Sequence, residues 1–269
     1  MIWRISGLAT CRFRKFTNNR KKLSPVWALW VLFLLTGCGL TRSHFLAPVD
    51  FSRFQDQDLP LEAAAWLGSG PQSRITPAVA AVAGAIEGRN RRERVYGIVD
   101  YVWQHFGYDS WLRDRTFGLT VDELLTRKVL GGCSDYALVQ TTLFRASGIP
   151  ARLIMTANVD WMLDFQKNDL LLAKGHVFIE AYLEDKWYLV DGTYGFLYLS
   201  YDPNSHNFPR GEIRCWRGRD YWSGGIDSVD RATERLRAAA SGYQPGGYVD
   251  PEYPWDVLWL IRPNAGNRN

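Results

Sequence analysis

Between Arg91 and Phe106, apolar side chains recur at Val95, Ile98, Val99, Val102, Trp103 and Phe106, which places them on one face of an amphipathic helix. Upstream, Pro77 to Glu87 is Ala-rich, with a proline at the first helical position and Gly88-Arg89-Asn90 ending the run. A short helix is predicted over Val121 to Lys128, with Thr120 as its N-cap. Another opens after Gly131-Gly132 and runs from Cys133 to about Ala146, where Gly148 and Pro150 stop it. The period then changes. Ala151 to Ala157 reads as a strand, and Asn158 to Lys174 as a long connection. From His176 to Leu183 the residues alternate: His176, Phe178, Glu180 and Tyr182 share one face, and Val177, Ile179, Ala181 and Leu183 the other. Trp187 to Asp191 is the hairpin partner. Beyond Gly192, aromatic, Gly and Pro residues mix without a period to Asn269, apart from a helix at about Asp230 to Ala240. Thr41 to about Ile75 carries Pro48, Pro60 and Pro71 and reads as a tether with a short helix at Leu61 to Leu67. Helices followed by an antiparallel hairpin define an α+β class.

Composition narrows the function. With 46% hydrophobic and 22% charged residues, the chain is neither extensively disordered nor, lacking any apolar run of about 18 residues, a polytopic membrane protein. The net charge of +4 misleads. Seven basic residues precede Leu23 and the first acidic residue is Asp50, so from Cys38 onward 25 basic residues face 28 acidic ones, a net of −3. The basicity belongs to a leader, and nucleic acid is not an expected partner.

That leader has a long basic start, then ten apolar residues from Val26 to Leu35, a length suited to a signal peptide rather than a membrane span. Leu35-Thr36-Gly37-Cys38 follows and resembles the bacterial lipobox, which implies lipidation of the Cys38 thiol and cleavage before it. The expected organisation is a lipoprotein signal peptide at 1–37, a tether at 38–76, a core at 77–194 and an aromatic-rich C-terminal extension at 195–269. The expected location is the bacterial cell envelope, with the membrane as partner through the lipid anchor. Since Gly39 rather than Asp follows Cys38, the periplasmic face of the outer membrane is the expected address in a Gram-negative cell.

In an export compartment, Cys133 and Cys215 remain beside the leader's Cys11 and the lipidated Cys38. Two cysteines this far apart make no disulfide framework, although one bridge would fit. A thiol is a good nucleophile only as thiolate, and its free pKa of about 8.5 is too high at neutral pH. Cys133 begins a predicted helix, whose N-terminal partial charge favours the anion and whose free N–H groups can face an oxyanion. Gly131 and Gly132 are expected to leave the sulfur approachable. Of the four histidines, His44, His105 and His206 read as surface residues, whereas His176 opens a strand. A two-residue turn at Glu184-Asp185 pairs Leu183 with Lys186 and so sets Asp191 opposite Phe178, diagonal to His176 on the same face. Cys133, His176 and Asp191 can then act as nucleophile, base and orienter.

Gly132-Cys133-Ser134-Asp135-Tyr136-Ala137, the helix end Phe144 to Arg152, His176 to Glu180 and Trp187 to Thr193 together resemble the transglutaminase-like superfamily. The resemblance implies a papain-like core, a cysteine helix packed on an antiparallel sheet, and the roles of nucleophile for Cys133, general base for His176 and partner for Asp191. It also implies an upstream aromatic near the oxyanion, for which Tyr108 and Trp111 are candidates. Two positions depart from the family's pattern: Phe178 stands where Trp is frequent, and Gly192 where Pro is usual.

The expected activity is acyl transfer or amide hydrolysis through a thioester on Cys133, by a cysteine acyltransferase or a peptidase or amidase acting on a protein or peptide amide. The competing reading is a catalytically silent binding or assembly module of the same fold, anchored to the membrane. Zinc binding by Cys133, His176, Asp191 and Cys215 has suitable ligand types but no zinc spacing, so neither metal nor cofactor is expected. Phe178, Tyr182 and Trp187 read mainly as core, and Arg145 and Arg152 as partners of local acids.

Overall fold

A computed structural model describes residues 56–246 and 255–261. The leader, Cys38 and the first part of the tether lie outside the described residues. The helices are α1 (Leu61–Ala64), α2 (Pro77–Ala85), α3 (Arg91–His105), α4 (Val121–Arg127), α5 (Cys133–Ala146), α6 (Val159–Phe165) and α7 (Val229–Ser241). The strands are β1 (Gly107–Tyr108), β2 (Val129–Leu130), β3 (Ala151–Asn158), β4 (Gly175–Leu183), β5 (Lys186–Asp191), β6 (Phe196–Tyr198), β7 (Asn207–Phe208), β8 (Glu212–Gly218) and β9 (Val257–Trp259). None of the helices among the described residues is long and apolar enough to cross a membrane.

Local chemistry fixes the helix ends. Thr76 caps α2 with Pro77 at its first position, Asn90 caps α3, and Thr120 and Glu123 form a reciprocal capping box on α4. Gly148, at φ 76, ends α5 in a Schellman motif: its N–H donates to the Arg145 carbonyl, and that of Ile149 to Phe144. That tight stop turns the chain straight into β3.

The main sheet is antiparallel, in the order β7-β8-β3-β4-β5-β6-β9. Leu183 pairs with Lys186 across a two-residue turn whose Glu184 adopts φ 58, so the predicted register of the β4–β5 hairpin is the observed one. Helix α5 packs on β3 and β4 and against α2, α3 and α4. Every residue from Ser134 to Arg145 is buried, as expected for a helix enclosed on all sides. The opposite face of the sheet is also covered: Ile154, Phe178 and Leu189 pack with Tyr198, Tyr201 and Phe208. Residues after 194 therefore extend and cover the sheet that carries the hairpin.

Two stretches differ from expectation. Within the connection at 158–174, Asn158 caps α6 by accepting from the Trp161 N–H, and the two-turn helix buries Trp161, Met162 and Phe165. The last residues of the expected tether are built into the core. Asp220, fully buried, accepts from the backbone N–H groups of Gln72 and Ser73 and from the Ser73 hydroxyl, while Gln72 Nε2 donates to the carbonyls of Phe117 and Leu119. Arg145 donates to the carbonyls of Ala151 and Arg219 and to Ser73, so carbonyls and a hydroxyl take most of its donors. Arg152 does pair with an acid, the buried Glu180, which also holds Arg217 and the Tyr201 hydroxyl.

Candidate active site

Cys133 is the first residue of α5, half-buried and free, and Cys215 on β8 is also free, so the two form no bridge. The approach to Cys133 is set by β2, which pairs in parallel with β1 so that Tyr108 lies beside Leu130. A 3-10 turn over Ser110–Arg115 then folds back against the glycines. A Cβ on Gly131 would come within 2.9 Å of the Leu112 carbonyl, whereas one on Gly132 would meet open space. The Gly131 position is thus needed by the neighbouring backbone.

The first turn of α5 is tied down from two sides. The Gly131 N–H donates to Asp135 Oδ2 at 2.8 Å, and the Tyr221 hydroxyl donates to the Ser134 carbonyl at 3.0 Å. Burial pushes the Asp135 carboxyl up to about 6, against the lowering effect of the Gly131 N–H. Burial also raises the Tyr221 phenol, and Cys133 and Asp135 nearby act in the same direction.

His176 arrives from β4 and Asp191 from the end of β5. Nε2 of His176 lies 3.0 Å from Asp191 Oδ1, although the ring N–H is not aimed squarely at that oxygen. Loose alignment of this kind is ordinary before a substrate binds. The same oxygen accepts the N–H groups of Thr193 and Tyr194, each at 3.1 Å. Cys133 lies near enough to act on the same ring. Burial lowers the pKa of His176, but the charges of Asp191 and Cys133 outweigh it and raise the group to about 10. The ring is packed edge-on against Phe178, with centroids 4.8 Å apart, and faces Tyr194 at 5.8 Å.

Sequence reasoning missed two charged neighbours. Arg210, between β7 and β8, puts Nη2 3.6 Å from Asp191 Oδ2 and 3.7 Å from Glu212 Oε1. Glu212 is buried, bonded by the Thr156 hydroxyl, and its carboxyl is raised by burial against the lowering pull of His176 and Arg210. No motif signals either residue; they enter only because the irregular C-terminal segment joins the sheet. The oxyanion candidates are placed differently from the inner residues. Tyr108 is exposed, and its hydroxyl accepts from Arg113; Trp111 is 89% exposed. The described contacts bring neither to Cys133. His105 is exposed and bonds the Tyr101 carbonyl. No group of three or more His, Cys, Asp and Glu among the described residues is arranged to hold a metal ion.

The structure also accounts for Gly192. Its carbonyl accepts from Trp103 Nε1 at 2.9 Å and from Gln140 Nε2 at 3.2 Å, and a Cβ there would lie 1.7 Å from Gln140 Oε1. Gln140, fully buried on the cysteine-bearing helix, fills the space that another residue after Asp191 would need. Gly192→Ala is expected to cost about 1–3 kcal/mol by overpacking and loss of that hydrogen bond. A thermal melt checks this; an unchanged Tm would show that Gln140 moves aside freely.

With this geometry in view, the comparisons fall into place. A family model described as the transglutaminase-like superfamily matches residues 80–192, from within α2 through Gly192, and with the helices-on-sheet architecture it supports a transglutaminase-like, papain-like fold for that part of the chain. Among solved structures, one from Cytophaga hutchinsonii described as a candidate cysteine protease shares 22% identity at a TM-score of 0.45, over 63% of this chain and 51% of its own. The periplasmic domain of TgpA from Pseudomonas aeruginosa shares 23% identity at a TM-score of 0.38, over 51% of this chain and 49% of its own. The chain thus spans about half the length of these structures. No curated protein matches.

Proposed function

We propose that this chain is a cysteine-dependent enzyme of transglutaminase-like type. What supports the reading is a buried imidazole 3.0 Å from the buried Asp191 carboxylate, with Cys133 at the start of α5 acting on the same ring. In the proposed reaction, the Cys133 sulfur attacks an amide carbonyl and the C–N bond breaks. His176 gives its proton to the leaving amine, and the acyl group stays on Cys133 as a thioester. Water or a second amine then attacks that thioester, its proton passes to His176, and the thiolate is released. Water makes the enzyme an amidase or peptidase; an amine makes it an acyltransferase. Asp191 keeps the ring oriented and takes no proton. The proposed donor is a protein or peptide amide at the cell envelope. The leader pattern and Cys38 support that location and a lipid anchor.

A second reading, a binding or assembly module without turnover, is favoured by one observation: Trp111, Tyr108 and Tyr194 hold substantial aromatic surface in solvent on the segments flanking Cys133 and His176. Such side chains serve recognition with or without chemistry.

Iodoacetamide separates the two readings. In the full chain near pH 7, peptide mapping should find Cys133 alkylated at least tenfold faster than Cys215. Burial pushes the Cys215 thiol up to about 12 and leaves it essentially unreactive there. Comparable slow modification of both thiols would leave the binding module as the function.

A further inference from the structure

The tip of the β7–β8 hairpin is Pro209-Arg210-Gly211, with φ 68 at Arg210 and 66 at Gly211. A left-handed arginine is unusual, and here the backbone is pinned on both sides. The Val159 N–H donates to the Gly211 carbonyl at 2.8 Å, and Asn158 Nδ2 donates to that of Arg210 at 3.4 Å. The turn is thus fixed to the end of β3 and directs the guanidinium onto Asp191. The guanidinium lies over the Tyr194 ring at 4.8 Å and the Phe178 ring at 5.6 Å, the same two rings that flank His176.

Asp191 divides its oxygens unevenly. Oδ1 takes His176, Thr193 and Tyr194, while Oδ2 is buried without a hydrogen bond and faces Arg210. We infer that Arg210 is a positioning residue of the site, holding Asp191 through Oδ2 and offsetting its charge so that His176 can release its proton to the leaving group. This rests on the cysteine-enzyme reading above.

The groups that act on His176 are Cys133 from α5, Asp191 from β5, Glu212 from β8 and Tyr194 from the turn after β5; Tyr198 from β6 and Arg210 lie around Asp191. Within this set, Arg210 is the cation that opposes the imidazolium. With its charge removed, Asp191 and Glu212 hold the imidazolium proton harder, and His176 becomes a poorer acid.

The test is the rate of Cys133 alkylation by iodoacetamide in the full chain, after brief pH jumps between about 4 and 12. The wild type should show two steps, the upper one marking loss of the imidazolium proton. Arg210→Gln should move that upper step to higher pH by about one unit, and Arg210→Lys should leave it near the wild-type position. Glu212→Gln, which removes one of the two carboxylates, should move it down and carries the test if Arg210→Gln fails to fold. An upper step unmoved in Arg210→Gln, or moved equally in the Gln and Lys variants, overturns the role of Arg210 and leaves the cysteine reading standing. A single step in the wild type at a free thiol's pH overturns the cysteine reading and this inference with it.

Discussion

In His176→Ala, alkylation of Cys133 at pH 6.5 should fall by about a hundredfold. A free thiol of pKa about 8.5 is only about 1% thiolate at that pH, whereas a thiol paired with an imidazolium reacts as the anion. The buried ring carries its proton up to about pH 10, because Asp191 and Cys133 together overcome the desolvation that opposes charge. The pair should therefore persist throughout the neutral range in the wild type. Its rate profile should collapse in the variant to one step near the free thiol's value. Superimposable profiles for the two proteins would mean that His176 does not activate the sulfur.

Asp191→Asn should retain the fold and lose about a hundredfold or more in turnover of p-nitrophenyl acetate, an activated ester that reports both formation and hydrolysis of the acyl-cysteine. The amide is nearly isosteric with the carboxylate, but the pocket is built for two acceptors. Oδ1 lies 3.0 Å from the His176 ring and accepts two backbone N–H groups, and Oδ2 faces a guanidinium. In either orientation of the amide, its NH₂ opposes donors. The charge that holds the imidazolium is also gone, so His176 should lose its proton at lower pH than in the wild type. Far-UV circular dichroism and a thermal melt would establish that the fold survives; full turnover in the folded variant would remove Asp191 from the mechanism.

The inner part of the site was legible because its signals are local. Cys133 announces itself by standing at a helix start, and Asp191 by a register that a two-residue turn transmits without ambiguity from Leu183 and Lys186. The Schellman glycine that closes the cysteine helix is equally plain in the letters. Arg210 and Glu212 were not legible, because the strand before them, β7, is two residues long and β6 and β9 are three, too short for alternation to show where the segment joins the sheet. Both faces of β4 are buried, and the polar Glu180 on it is satisfied by Arg152 and Arg217, far off in the sequence. Helix α6 was hidden for a related reason: seven residues give under two full repeats of the helical period. Gly192 could be seen to depart from the family's pattern, but not why, since the reason is the side chain of Gln140.

The clasp between Gln72, Ser73 and Asp220 bears on the order in which the molecule comes together. It joins positions 148 residues apart, with a carboxylate that is wholly enclosed. The segment around residue 72 leaves the ribosome early, yet its buried acceptor does not exist until the polypeptide has reached Asp220. Until then, the backbone N–H groups of Gln72 and Ser73 lack their acceptor, and the closure entropy of that very long loop is met in a late event. Assembly of the cysteine helix, which Arg145 connects to the same clasp through Ser73, is thereby coupled to completion of the far side of the sheet. A chain whose far side is unfinished should carry Cys133 on a helix that has not yet been locked.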